Sequence, residues 1–124
     1  MVEITHISLN PSKDALGFKA KVTGNTESIT EIGFSFRVEG GSFGVQSAYT
    51  NNLKLGDPYE VDYKLIFEKG IIYLELDGEL VYKFQSTFTN GIYYFGVTQY
   101  ADAIYTNTQV TYDAADIAAM TAGY

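Results

Sequence analysis

Residues 59–84 read YEVDYKLIFEKGIIYLELDGELVYKF, and this stretch decides the fold. In its first ten residues, apolar and charged side chains occupy alternate positions. The apolar set is Val61, Tyr63, Leu65 and Phe67, and the charged set is Glu60, Asp62, Lys64 and Glu68. Because successive side chains of an extended chain point to opposite faces, the pattern predicts a strand with one buried and one solvent-exposed face.

Two turn signals divide the rest of this stretch. Lys69-Gly70 precedes the apolar run Ile71–Leu76, and Asp77-Gly78 separates that run from Glu79–Phe84. An Asp-Gly pair between apolar β-formers favours a type I′ hairpin, because both central residues of that turn need positive φ. The stretch therefore predicts a three-stranded meander, and the rest of the chain has to cover its apolar face.

Shorter alternating segments precede and follow the meander. They predict further strands at Val2–Leu9, Ala15–Thr23, Glu31–Glu39, Phe43–Thr50, Ile92–Tyr100 and Ala103–Tyr112. The first segment changes parity, which predicts a bulge near Thr5-His6 in an edge strand. Strands spaced about ten residues apart favour an all-β fold, an antiparallel β-sandwich of about nine strands. The predicted core includes Phe18, Phe34, Phe36, Val61, Tyr63, Leu65, Phe67 and Phe95.

The domain organisation follows from length and from a change of composition near the C-terminus. A chain of 124 residues is typical of one domain and can bury about two-thirds of its extended-chain surface. Residues 1–112 are predicted to form the sandwich. Residues 113–124, DAADIAAMTAGY, predict a short helical tail with Asp113 as N-cap and Gly123 at its end.

The charge balance argues against two classes of partner. The net charge is −7, and the eight Lys and Arg residues are scattered, so we expect neither nucleic acid nor an anionic membrane surface as partner. No apolar run approaches the roughly 20 residues that a membrane-spanning helix needs. The N-terminal MVEITHISL lacks the basic and apolar regions of a signal peptide, so the protein is expected to be made in the cytosol or its sequence to begin after a signal.

Several kinds of reactive site are also disfavoured. The chain has no cysteine, which excludes disulfides, thiolate nucleophiles and Cys-type zinc sites. The single histidine, His6, is interpreted as a polar residue of the edge strand. Calcium needs six to eight converging oxygen ligands, and the acidic residues lack the spacing of a calcium loop, so we expect a solvated acidic surface and no cofactor, with calcium as the alternative. The acidic residues in question are Asp57, Asp102, Asp113 and Asp116.

Two segments resemble a known family. YKLIFEKGIIYLELDGELVYKF is similar to the meander of concanavalin A-like domains, the jelly-roll sandwiches of lectins and glucanases. GIYYFGVTQYADAIYTNTQVTY is similar to their closing pair of strands. The resemblance lies mainly within residues 59–112, and the chain is short for that family. It implies a surface for carbohydrate, although some members are structural; an immunoglobulin-like sandwich is the alternative fold.

The resemblance also raises the question of catalysis. Glu75-Leu76-Asp77-Gly78-Glu79 matches the Glu-x-Asp-x-Glu signature of laminarinase-like glucanases, whose carboxylates lie about 5 Å apart on one strand face. Here Asp77-Gly78 is predicted to reverse the chain, which splits the carboxylates across a hairpin. The chain also lacks the tryptophans that line the clefts of those enzymes, so we expect a protein that is not an enzyme.

Two loop-rich segments offer the side chains that bind sugars. Carbohydrate sites combine a flat aromatic ring with amides or carboxylates for the hydroxyl groups, and binding residues concentrate in loops. The candidate ligand-binding residues are Tyr49, Asn51, Asn52, Asp57 and Tyr59 in one segment, and Gln99, Tyr100, Asp102 and Tyr105 in the other. Arg37 and Gln46, predicted to face outward on neighbouring strands, would extend a polar sheet face.

Two functions are consistent with the sequence. The first is a non-catalytic, lectin-like module that binds a glycan or polysaccharide, as part of a cell-surface or phage adhesion apparatus. The second is a structural or protein-interaction domain, such as an accessory protein of a virion or surface layer, which would assemble as a homo-oligomer. Both favour an extracellular, cell-surface or virion location. A glycan array and the oligomeric state would separate the two.

Overall fold

The structure is a computed structural model, and it describes residues 2–25, 32–40, 44–49, 58–85, 87–97 and 104–124. At residues 2, 3, 25, 32, 44–49, 58 and 59 the description is of the backbone alone. The described elements are nine strands and one helix. They are β1 (Val2–Leu9), β2 (Ala15–Asn25), β3 (Ile32–Val38), β4 (Gly44–Tyr49), β5 (Pro58–Glu68), β6 (Ile71–Leu76), β7 (Glu79–Gln85), β8 (Gly91–Val97), β9 (Ile104–Thr111) and α1 (Ala114–Thr121).

The strands form two antiparallel sheets, as the alternation predicts. One has four strands in the order β1-β8-β3-β4, and the other has five in the order β7-β6-β5-β2-β9. Within the described ranges, the chain forms two compact units. The first lies within Met1–Leu9, Thr23–Glu60 and Asn90–Ile104, and the second within Asn10–Val22, Val61–Thr89 and Tyr105–Tyr124.

The predicted meander is β5-β6-β7, and its turns have the expected geometry. Lys69 and Gly70 have φ of 50° and 77°, and Asp77 and Gly78 have φ of 52° and 78°. Positive φ at both central residues is the requirement of a type I′ turn, so the hairpin prediction at Asp77-Gly78 is confirmed. The Asp77 amide donates to the Asp62 carbonyl, and Asp77 Oδ1 accepts from the Asp62 amide, each at 2.8 Å.

The buried face of each sheet carries the predicted core. All eight predicted core residues are at most 2 % exposed. In the first unit, the Phe36 ring stacks on Tyr93 with centroids 4.8 Å apart and lies 4.6 Å from Phe95. In the second unit, Phe18 meets Tyr63 edge-on at 5.8 Å, and Phe67 meets Phe88 at 5.6 Å.

Strand β1 is an edge strand with an irregular register, as predicted. Its pairing with β8 shifts between Glu3 and Thr5, slightly earlier than the predicted position near Thr5-His6. Beyond the shift, Thr5 to Leu9 pair without interruption with Phe95 to Gly91. The irregularity is therefore confined to the N-terminal part of β1.

The C-terminal residues form the predicted helix. Asp113 Oδ1 accepts from the amides of Ala115 and Asp116 at 2.9 and 3.0 Å, as an N-cap does. Ile117 is fully buried and packs with Ile66 and Tyr73. The helix therefore covers part of the second face of the five-stranded sheet, which we call the helix face. No described helix is both long enough and apolar enough to span a membrane.

Candidate functional site

The exposed side of the four-stranded sheet carries a row of polar and aromatic side chains. In the ladder, His6 pairs with Tyr94, and Tyr94 pairs with Arg37, so the three residues lie side by side on β1, β8 and β3. Their neighbours along each strand, such as Phe36, Tyr93 and Phe95, are buried. Strand alternation therefore turns His6, Tyr94 and Arg37 to the other face. We call these three residues the His6–Tyr94–Arg37 row.

The three side chains of this row are in contact. The Arg37 guanidinium carbon lies 4.3 Å from the centroid of the Tyr94 ring, and the His6 ring centroid lies 5.7 Å from it on a 37° tilt. The Tyr94 hydroxyl donates to Glu39 Oε1 at 2.7 Å. Tyr94 is half-buried, whereas His6 and Arg37 are exposed. Contact between the ring and the cation limits the freedom of the Arg37 head group while leaving it accessible to water.

Two glycines lie beside the row in the strand register. Gly44 of β4 pairs with Arg37, and Gly96 lies two residues after Tyr94 on β8. Gly96 itself pairs with Ser35 of β3, which pairs in turn with Gln46 of β4. Gly44 and Gly96 therefore add no side chain to the face beside the His6–Tyr94–Arg37 row.

The chemistry of this face is that of hydrogen bonding to oxygen-rich ligands. A guanidinium presents five donors in a planar fork, suited to a carboxylate or to neighbouring hydroxyls. An imidazole and a phenol can each donate and accept. Within the described residues, no group of three or more His, Asp and Glu side chains is placed to hold a metal ion.

Most of the ligand-binding residues predicted from sequence lie outside the described part of the chain. These are Asn51, Asn52, Asp57, Gln99, Tyr100 and Asp102. Tyr49 ends β4 and Tyr59 lies in β5, and for both the description is of the backbone alone. The assignment of these eight residues to a ligand site remains a prediction.

The ninth predicted residue, Tyr105, is placed in the second unit. It is half-buried at the start of β9, and its ring meets Tyr63 edge-on with centroids 5.5 Å apart. Burial, and secondarily the neighbouring Tyr105, raises the pKa of Tyr63 well above its usual value. The ring of Tyr105 therefore has a packing contact with a deeply buried tyrosine. Tyr105 belongs to the second unit, and the His6–Tyr94–Arg37 row belongs to the first.

Strands β4 and β8 end at the same end of the four-stranded sheet. Strand β8 ends at Val97, which pairs with Phe34, and β4 ends at Tyr49, which pairs with Ile32. Both ends therefore flank the start of β3, about 10 Å apart across two strand spacings. Residues 50–57 and 98–103 follow these two strand ends in sequence.

The carboxylates of the Glu-x-Asp-x-Glu match do not share a face. Asp77 lies in the turn, and Glu79 pairs with Leu76, whereas Glu75 is one position away and points to the opposite side. Glu75 is 4 % exposed, and Glu79 and Asp77 are exposed. The arrangement needed for the two-carboxylate chemistry of glucanases is therefore not formed by these three residues.

Sequence reasoning did not select Tyr94 and took His6 only as a polar edge residue. The signal for Tyr94 was present, because it lies between Tyr93 and Phe95 on the opposite parity of an apolar strand. The contact between His6 and Tyr94 joins residues 6 and 94, so only the β1–β8 register reveals it. Arg37 was predicted to face outward, and the structure confirms its exposure.

Comparison with known proteins identifies the fold. No family model matches the chain, and no curated protein matches its sequence. Among solved structures, the chain is similar to a marine PL7 alginate lyase from Zobellia galactanivorans, with a TM-score of 0.54 and 12 % identity over 89 % of this chain and 66 % of the lyase. It is also similar to alginate lyase A1-II′, a member of polysaccharide lyase family-7, with a TM-score of 0.53 and 14 % identity over 82 % of this chain and 63 % of the lyase.

Sheep galectin-11, in its complex with glycerol, gives a TM-score of 0.49 and 11 % identity over 86 % of this chain and 95 % of the galectin, too low to add to the assignment. The chain spans slightly less than two-thirds of the length of each alginate lyase. At these identities the likeness concerns the fold alone. The protein has the concanavalin A-like jelly-roll β-sandwich fold that its sequence predicts.

Proposed function

We propose that the protein is a non-catalytic carbohydrate-binding module whose glycan lies on the exposed face of the four-stranded sheet. The observation that carries the proposal is the His6–Tyr94–Arg37 row, in register across three adjacent strands beside Gly44 and Gly96. Arg37 and His6 supply directional hydrogen bonds, and the aromatic ring of Tyr94 between them supplies the apolar surface. A small set of such groups on one surface is typical of a site for a polar, ring-shaped ligand.

The comparisons support carbohydrate as the class of ligand. Two solved structures of the same fold are alginate lyases, so polysaccharides of uronic acids are the first glycans to test. The guanidinium of Arg37 would pair with a sugar carboxylate or with two neighbouring hydroxyls. The predicted segments that contain Tyr49 and Tyr100 follow strand ends on the same sheet and would extend the site along the chain of sugars.

The proposal is tested by binding to immobilised polysaccharides, both alginate and uncharged glucans. Arg37→Ala should weaken retention at least tenfold, because a site built to pair with oxygen atoms loses about 1–3 kcal/mol with one charged partner. The matched control is Lys83→Ala. Lys83 is also an exposed cation over a tyrosine ring, 5.7 Å from the centroid of Tyr73, but it lies in the second unit.

Two outcomes would contradict the binding proposal. Saturable retention that is equal in the wild type and in Arg37→Ala would show that the His6–Tyr94–Arg37 row does not bind the glycan. Complete lack of retention, together with an oligomer at micromolar concentration, would favour the structural and protein-interaction alternative.

A second candidate function is polysaccharide cleavage by β-elimination. It is favoured by one observation, the contact of an imidazole with a phenol in the row, since either group can exchange a proton with a substrate. We favour binding alone because the Tyr94 hydroxyl is already engaged as the donor of a hydrogen bond to Glu39. Incubation with alginate should therefore leave the ultraviolet absorbance unchanged. An increase, from the unsaturated sugar that elimination produces, that is lost in His6→Ala or Tyr94→Phe would establish an enzyme.

A further inference from the structure

A polar groove runs along the helix face of the five-stranded sheet, wholly within the second unit. At the end near the Asp77-Gly78 hairpin it has a volume of about 460 Å³, and at the end near α1 a volume of about 610 Å³. Lys19, Lys64 and Gln109 line both parts, so the two parts adjoin across β2, β5 and β9. Each volume is within the range of small-molecule sites, roughly 300–1,000 Å³. We call it the Lys19–Gln109 groove.

A buried carboxylate lies at the base of this groove. Glu75 is 4 % exposed, the Lys64 ammonium lies 3.2 Å from its Oε1, and the Tyr124 hydroxyl donates to its Oε2. The Tyr124 ring stacks on Tyr73, with centroids 5.9 Å apart. Burial of a charge is costly unless it is paired, and an apolar pair of the same volume would often stabilise the fold as well or better. Glu75 and Lys64 are therefore better explained as fixed polar groups for a ligand than as a source of stability.

The charges that line the hairpin end of the groove are balanced. Three lysines, Lys19, Lys21 and Lys64, face three acids, Asp62, Glu75 and Asp77. The amides of Asn107 and Gln109 add donors and acceptors without charge. An anionic sugar would meet the carboxylates of Asp62 and Asp77 as well as the lysines, whereas a hydroxyl group can pair with every group in this lining.

We propose that the Lys19–Gln109 groove is a second binding site, specific for an uncharged saccharide of one or two rings. The Lys64–Glu75 pair at its base would donate to and accept from neighbouring hydroxyls, and Lys19 and Gln109 would close over the ligand from the exposed side. The site belongs to the second unit and to other strands than the His6–Tyr94–Arg37 row. The groove proposal can therefore be tested independently of the function proposed for the row.

The test is a titration of the full, ¹⁵N-labelled chain, followed by two-dimensional NMR. The probes are cellobiose, maltose and lactose, each uncharged, and a mannuronate disaccharide as the anionic counterpart, all raised to about 10 mM, sufficient for a millimolar site. We expect at least one uncharged disaccharide to shift the amides of Lys19, Lys64 and Gln109 saturably, and the mannuronate disaccharide to leave them unchanged.

Variants assign the effect to the groove. Gln109→Ala and Lys19→Ala change exposed side chains, so both should remain folded while the dissociation constant rises about tenfold. Lys83→Ala changes an exposed side chain of the same unit outside the groove lining; it is the control and should leave the shifts as in the wild type. The proposal is overturned if no uncharged disaccharide gives saturable shifts, if mannuronate shifts the groove at lower concentration, or if Gln109→Ala and Lys19→Ala both bind like the wild type.

Discussion

The non-core faces of the two sheets are built differently. On the four-stranded sheet, the residues that alternate with the core are His6, Arg37 and the half-buried Tyr94. On the five-stranded sheet, they include the fully buried Ile66 and the nearly buried Tyr73, which α1 covers with Ile117. The same alternation therefore leaves polar side chains exposed on the four-stranded sheet and buries apolar side chains under α1 on the five-stranded sheet.

This difference shows how a short helix is stabilised by packing on a β-sheet. An isolated helix of eight residues is marginal in water, and most helix stability in proteins comes from packing of an apolar side. In α1, the fully buried residue is Ile117, and Met120 packs against the same cluster. The helix and the apolar half of the helix face thus stabilise each other, and the polar half of that face remains as the Lys19–Gln109 groove.

The largest effect is expected in the core of the second unit. Phe67 is fully buried, and its ring meets Phe88 edge-on. Phe67→Ala should lower the free energy of unfolding by about 3–5 kcal/mol, the usual cost of truncating a buried Phe. Chemical denaturation measures this. Ile104→Ala, at a side chain that is 58 % exposed, is the control and should cost little. A loss below about 1 kcal/mol for Phe67→Ala would mean that this position is not packed as the fold requires.

The second prediction tests the covered face directly. Ile117→Ala should lower the free energy of unfolding by about 2–4 kcal/mol, because it opens a cavity above Ile66 and Tyr73. Ala118→Ser, at the adjacent exposed position, serves as the control for changes within α1. If Ile117→Ala reduces helicity in circular dichroism without a change in unfolding free energy, the packing of α1 on the sheet does not contribute to the stability of the fold.

A smaller effect is expected at the turns, and here the two units can be compared. Gly78 has φ of +78° and Gly40 has φ of +69°, and an added Cβ would meet no atom within 4 Å at either. Alanine at each position should therefore cost about 1–2 kcal/mol, from the strain of the left-handed backbone alone. Gly91→Ala is the control. Gly91 has no positive φ, and its Cβ would make only ordinary contacts, 3.6 Å from Val38, so no loss is expected. Equal stability of Gly78→Ala and Gly91→Ala in denaturation would argue against the type I′ turn.

The smallest effect concerns the Tyr124–Glu75 hydrogen bond beside the groove. This bond, with burial and the charge of Glu75 as further causes, raises the pKa of Tyr124 from 10.0 to about 12. A phenol whose pKa is raised on folding adds stability below the unfolded value, and this contribution is lost as the pH rises from about 10 to about 12. Tyr124→Phe should remove this decline.

The measurement is the difference in unfolding free energy between wild type and Tyr124→Phe as a function of pH. The pKa values of Tyr63 and Tyr73 are also raised, by burial first. Their contribution cancels in the difference. A difference that stays constant above pH 10 would show that the hydroxyl of Tyr124 makes no hydrogen bond to Glu75 in solution.

Local patterns in the sequence determined the strands, the turns and the helix. Alternation from Val61 to Phe67 predicted a strand with one buried face, and Asp77-Gly78 predicted a chain reversal because both residues tolerate positive φ. Asp113 began the helix because its carboxylate caps the free amides. Each of these effects acts over a few residues, so one sequence contains all the information that they need.

Tertiary structure decided which residues meet, and therefore where the candidate sites are. His6, Arg37 and Tyr94 come from three distant segments, and their contact depends on a register that a shift of one residue would reverse. Glu75 has the sequence pattern of an ordinary strand-end carboxylate, yet Lys64 and Tyr124 bury it. Sequence alternation indicates that a side chain points away from the core. Only the strand order and the covering helix determine whether that side chain reaches solvent, a neighbour or a groove.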